Sequence, residues 1–312
     1  MNVAAADPSG GTPVVRMTAA TGSWLTRPLP ARALAAVRIA TGVYAVGLVL
    51  GRGPSQLELA GDGFGWDPVG ILRPFGSPPG VGLVAALGMV ALASSLALVV
   101  GWRHRLTGPV CFVSVLTWAT LASSWGHLFH SDNLVVLHLG VLAWFPASDA
   151  WSLDRRAGRR TDAGPSATYG WAVRLAAILT AVTYVAAGLA KARLGGWGWL
   201  DGETLRGLVA HDNLRKELIG APSTPLAGPV VRQAWMFTPL ALATFAVELG
   251  APLALLGVRA ARGWTLAAWV FHVGIVALMT VSFLYPLTLL AFVPTLAASE
   301  ALPLRLPRRR RA

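Results

Sequence analysis

Only Lys191 and Lys216 are lysines among the 26 basic side chains of this sequence; the others are arginines. The distinction is chemical. Arginine stays protonated in essentially every protein setting, whereas a desolvated lysine can lose its proton near neutral pH and act as a base or nucleophile. Lys191 closes the apolar run AILTAVTYVAAGLA and is followed by the Gly- and Trp-rich ARLGGWGWLDG. That run could cross much of a bilayer, placing the ammonium where hydrocarbon gives way to headgroups or to a wet cavity. Two readings follow: a general base in an enclosed pocket, or a lysine snorkelling from a helix end.

The other ionisable groups within apolar stretches carry the same double reading, because a charge in lipid is costly and usually faces a bundle interior. Glu248 could bind a substrate or hold a lysine or arginine, or it could form a structural pair with Arg38 or Arg174. His272, in AWVFHVGI, could shuttle a proton or polarise an oxygen, or simply bridge two helices. His127 and His130 are three residues apart in HLFHSDN beside Asp132 and Asn133. The spacing would suit metal ligation on a helix, but no HExxH or second matched pair accompanies it, so no metal site is expected. His138 is read as satisfying a neighbour, and Arg38 and Arg174 as structural or snorkelling groups. Trp197 and Trp199 fit an interfacial belt as well as a substrate wall.

The elements that must position these groups follow from composition. Apolar residues make up 54% of the 312, charged residues 13%, and the mean hydropathy is +0.58, which describes a polytopic membrane protein. The net charge of +12 sits in short arginine clusters between apolar stretches, with no aromatic-basic module, so nucleic acid is not an expected partner and membrane lipid is. A single cysteine, Cys111, excludes a disulfide framework and a CxxC redox pair. Crossing about 30 Å of hydrocarbon takes about 20 helical residues. Eight stretches approach that length, giving an all-α bundle: 33–50, 81–102, 107–125, 134–145, 169–190, 235–256, 264–283 and 286–298. The expected organisation is a flexible tail (1–30), a transmembrane domain (31–303) with a long loop (193–233) holding a short helix near 203–209, and a basic tail (304–312).

With the N-terminus inside, sixteen basic residues fall on the cytoplasmic side, including Arg103, Arg105, the cluster from Arg155 to Arg160, Arg259 and Arg262. Eight fall outside, and Arg38 and Arg174 lie within stretches. The short loops follow the positive-inside rule, so both termini are expected in the cytoplasm, and Lys191, HLFHSDN and the long loop together on the outer side of the cell membrane.

Three blocks in order carry a resemblance to the HTTM domain family, the membrane portion shared by vitamin K-dependent γ-glutamyl carboxylases and many bacterial proteins. They are HSDNLVVLHLGVLAWFPASDAWSLDRR, ending on Trp151, Ser152, Leu153 and Asp154; YVAAGLAKARLGGWGWLDG, with Tyr184, Ala187, Gly188, Lys191, Trp199, Asp201 and Gly202; and the stretches with Glu248 and Phe271-His272. The resemblance spans about Arg32 to Pro303. It implies that Lys191 is the base acting on a reduced, vitamin K-like quinone, with His272, Glu248 and His130 as further catalytic candidates. Tyr184, Trp199, Asp201 and Asn133 are the substrate-binding candidates. The carboxylases carry a large extracytoplasmic domain after their spans where this sequence has a basic tail, so carboxylation of a protein is not expected. Chemistry on a hydrophobic small molecule stays open, as does a non-catalytic role in maturing or exporting a secreted peptide.

Overall fold

The computed structural model describes residues 24–162 and 164–300. Most of the N-terminal tail, including Arg16, and all of the basic C-terminal tail therefore lie outside the described residues. Among the described residues the chain is helical, with one isolated antiparallel bridge between Leu29 and Ser166. Its principal helices are α1 (Ala31–Leu59), α2 (Val81–Val100), α3 (His104–Ala122), α4 (Asn133–Trp144), α5 (Ala167–Gly195), α6 (Glu203–Leu218), α7 (Phe237–Leu249) and α8 (Val258–Met279).

Five of these, α1, α2, α3, α5 and α8, are long and apolar enough to cross a membrane. The other three apolar stretches are shorter or broken. Helix α4 has 12 residues, about 18 Å of rise. The sixth stretch divides at Gly250 into α7 and a 3-10 turn, Ala251–Leu255. Pro252 lies in that turn, and proline has no N–H to continue a helical ladder. The eighth becomes Leu284–Leu287, Leu290–Phe292 and Val293–Ala298, parted at Leu289, whose φ of 63° is left-handed. The long loop is more ordered than expected, since its helix α6 runs 16 residues rather than seven.

Packing gathers the helices in two groups. Helix α1 packs on α2 and α5, while α3 lies between α2 and α4. Trp118, Val115, Leu98 and Leu139 fill the space they enclose. Helix α5 continues past this group to meet α7, the Ala251–Leu255 turn and Val293–Ala298. A second apolar cluster there holds Tyr184, Trp264, Ala268 and Phe292. Lipid tails are as apolar as these side chains, so close van der Waals packing and interhelical hydrogen bonds, rather than a hydrophobic drive, hold the helices together within a bilayer.

The two ends of α5 carry different polar chemistry. Near its start Arg38 is fully buried, and its guanidinium donates to the carbonyls of Ala147 (2.6 Å), Ala150 (3.2 Å), Val99 (3.3 Å) and Trp151 (2.6 Å). Arg174 donates to Leu25 and Arg27 carbonyls. Neither arginine pairs with Glu248, so that alternative for the glutamate is corrected: the terminal nitrogens of both cations are spent on backbone oxygens near the ends of elements. Asp154 of the WSLD block accepts from the N–H groups of Arg103 (2.8 Å) and His104 (2.9 Å), capping α3, and from Arg159 (2.9 Å). Burial alone would raise its carboxyl pKa, but these three donors outweigh that and hold it below the ordinary carboxylate range.

Candidate functional site

At the other end of α5 the chain closes a cavity of about 340 Å³, within the size range of small-molecule sites. Its walls are mostly apolar, and among its lining residues are His130, Tyr184, Lys191, Trp199, Glu248 and His272. Six of the eight residues singled out from the sequence therefore meet in one space. The other two do not. Asp201 is exposed and its carboxylate accepts the N–H of Glu203 (2.9 Å) at the start of α6. Asn133 is exposed at the start of α4, outside the cavity lining. Both lie at helix starts outside the cavity lining, where the Asp201 carboxylate serves a free backbone N–H.

The glycines of the central block explain how the site is assembled. A Cβ on Gly188 would lie 2.8 Å from Leu249 Cδ2 and 3.1 Å from Glu248 Cβ, so its absence lets α5 and α7 approach closely. Lys191 stands one turn further along the same face. Its ammonium donates to Glu248 Oε1 and lies 5.7 Å from the centre of the Trp199 ring, within cation–π range. Gly202 has φ +92°, and a Cβ there would sit 2.4 Å from the Phe237 carbonyl carbon. The chain can therefore turn tightly against the start of α7 after Trp199 only with glycine at this place.

Tyr184, two turns before Lys191, is hydrogen-bonded through its hydroxyl to His272 Nε2 at 2.7 Å. The Tyr184 ring meets Trp264 edge to face at 5.0 Å, and the Trp264 indole donates to the Val247 carbonyl at 2.9 Å, tying α5, α7 and α8 together. Glu248 and His272 are 3% and 7% exposed. Each has one buried polar atom without a hydrogen-bond partner: Glu248 Oε2 and His272 Nδ1. Nine other buried side-chain atoms among the described residues share this state, but only these two belong to residues that line the cavity.

The HLFHSDN turn supplies the remaining wall. His130 packs near Phe283 at 5.8 Å, while His127 is exposed and lies against Phe129. Arg52 holds the turn from α1: its Nε donates to Asp132 Oδ2 at 3.0 Å and its guanidinium stacks 3.5 Å over the Phe129 ring. Sequence reading missed this clamp because Arg52 and Asp132 are 80 residues apart and each looks like an ordinary loop charge. It likewise missed Phe283 and Trp264, for apolar walls carry no signal apart from general hydrophobicity. His138 is away from the cavity, buried against Tyr285 Oη (2.9 Å) and Thr180 Oγ1 (3.1 Å).

A second cavity, about 390 Å³, lies between α6, α7 and α8 and is walled by apolar side chains and Thr244. Leu205, Thr244, Phe271, Ile275 and Met279 border both spaces.

This arrangement is that of a helical membrane domain with an internal, largely apolar site. The HTTM domain family matches residues 26–300, and the chain belongs to that family. No curated protein and no solved structure shows significant similarity to it.

Proposed function

We propose that this protein is a multi-pass protein of the cell membrane, with about eight crossings and both termini cytoplasmic, that uses Lys191 as a base on a hydrophobic substrate. The charge distribution supports the orientation: Arg103, Arg105 and the Arg155–Arg160 cluster occupy the Arg38 end of the bundle, with Lys191 at the far end of α5. On this reading α4, α7 and the pieces from Leu284 to Ala298 complete the crossings, kept in register by the five long helices.

One observation carries the catalytic reading: the Lys191–Glu248 pair borders an apolar-walled cavity in which a carboxylate oxygen and a histidine nitrogen remain without partners. Within the pair, a proton passes from Nζ to Oε1 along their hydrogen bond, which leaves a neutral amine beside a neutral acid. The amine then takes the proton of a substrate O–H, leaving an oxyanion next to the restored ammonium. No charge is created in isolation, which is what a low-dielectric site requires. A reduced quinone presents such an acidic hydroxyl on an apolar body. The test is oxidation of a reduced quinone, with dioxygen supplied as the electron acceptor, by membrane vesicles containing the protein: Lys191→Arg keeps the charge but cannot act as a base, so turnover should vanish. Full turnover in that variant would sink the proposal.

A second reading has its own observation. Leu214, Leu218 and Ile219 of the α6 segment are 57%, 78% and 64% exposed, an apolar surface suited to a secreted peptide in transit. A non-catalytic maturation or export factor would retain a co-purifying peptide and tolerate Lys191→Arg.

A further inference from the structure

We infer that the cavity recognises a hydroxyl group on an apolar ligand through His272 and Glu248 together, and that Tyr184 is the residue that sets His272 for this task. This rests on the reading of the cavity as a substrate site. The Tyr184 hydroxyl and His272 Nε2 are hydrogen-bond partners at 2.7 Å, and either could be the donor. Two proton arrangements fit a 2.7 Å contact. If Nε2 carried the ring proton and donated to Tyr184, the phenol hydrogen would be left buried without an acceptor, and Nδ1 would be an unmet acceptor as well. If Tyr184 donates to Nε2, the ring proton sits on Nδ1, and that N–H is the one group left unmet. Leaving a buried polar group unpaired costs about 1–3 kcal/mol, so the second arrangement prevails.

The consequence is a matched pair on the cavity wall. His272 Nδ1–H is a donor without an acceptor, and Glu248 Oε2 is an acceptor without a donor, both on side chains more than nine-tenths buried. A hydroxyl satisfies both at once, accepting from the histidine and donating to the glutamate. An ether satisfies only the first, and a hydrocarbon neither. Once the hydroxyl loses its proton to Lys191, the same Nδ1–H holds the oxyanion in place, so Tyr184 acts as a positioning residue for both the bound and the ionised form.

Nitrogen-15 spectra of the full-length protein in lipid nanodiscs, labelled at histidine, test this directly, because a protonated and an unprotonated ring nitrogen resonate far apart. His272 is assigned by the signals lost in His272→Gln. The expected result is a proton on Nδ1 in the wild-type protein and two exchange-averaged nitrogens in Tyr184→Phe. A wild-type proton on Nε2, or averaged nitrogens already in the wild type, overturns the inference whether or not the variant folds. Titration with 1-naphthol and with its methyl ether supplies the second arm: the naphthol should bind about 10- to 100-fold more tightly and move the Nδ1 resonance. Equal binding of the two overturns hydroxyl recognition. Retained turnover in Lys191→Arg would instead sink the base while leaving the His272 tautomer as it is, so the two failures can be told apart.

Discussion

Arg38 and Lys191 are both cations enclosed by helices, yet their surroundings are opposite in kind. Arg38 donates to four backbone carbonyls, one at the end of α2 and three in the loop from Ala147 to Trp151. Lys191 has one carboxylate, and that carboxylate keeps an unmet oxygen. Arg174 and Lys191 are seventeen residues apart on α5, about 26 Å along its axis, so one helix joins the two regimes. The difference teaches where to look for function in an apolar bundle. A cation whose carbonyl partners come from separate elements is holding those elements together, whereas a cation with a single side-chain partner beside a void borders space that a ligand can enter.

The sharpest way to break this comparison is to remove Arg38. Arg38→Met strands four carbonyls inside the bundle, and the expected loss is roughly 3–5 kcal/mol, enough to abolish monodisperse protein in detergent. Lys191→Arg should do the reverse, leaving the thermal unfolding midpoint within a few degrees of the wild type while turnover of a reduced quinone falls by about 10²–10⁴-fold. If the midpoints of the two variants changed places, the division into a structural and a functional end would be wrong. A finer probe is Gly202→Ala, whose Cβ would meet the Phe237 backbone at 2.4 Å. It should cost about 1–3 kcal/mol and displace Trp199, seen as altered tryptophan fluorescence on ligand addition.

The smallest effect concerns pH at the Arg38 end. The Asp154 carboxyl lies below its ordinary range in the folded protein. Its stabilisation is therefore fully present above the unfolded-state value of about 3.9 and is lost as pH falls through the folded value. The unfolding midpoint of Asp154→Asn should lie below that of the wild type by a constant margin at neutral pH, and the margin should shrink as pH falls below about 4. A margin that instead widened in acid would contradict the capping role.

Much of the site was legible because charge is rare in apolar sequence: Lys191, Glu248 and His272 each interrupt a greasy run, and the structure gathers them with Tyr184, Trp199 and His130. The resemblance groups Asp201 and Asn133 with the site, but both are exposed at helix starts outside the cavity lining, a placement that depends on the packing of distant segments. Helix length was also hidden. Hydropathy reads the sixth and eighth stretches as continuous, while Pro252, Pro286 and Pro294 lie among the short turns into which the backbone divides. The WSLD block shows the converse case, a motif whose Ser152 and Asp154 cap helix starts at the Arg38 end.

The second cavity adjoins the first along five shared lining residues. Val270 on its wall is 54% exposed, on a helix apolar enough to cross a membrane. For the hydrophobic substrate proposed above, entry between α7 and α8 would draw on the hydrocarbon rather than on water, and its mole fraction in lipid would govern occupancy. Diluting a fixed amount of protein and ligand with inert phospholipid should then empty the site at constant molar concentration, a behaviour that no aqueous dissociation constant describes.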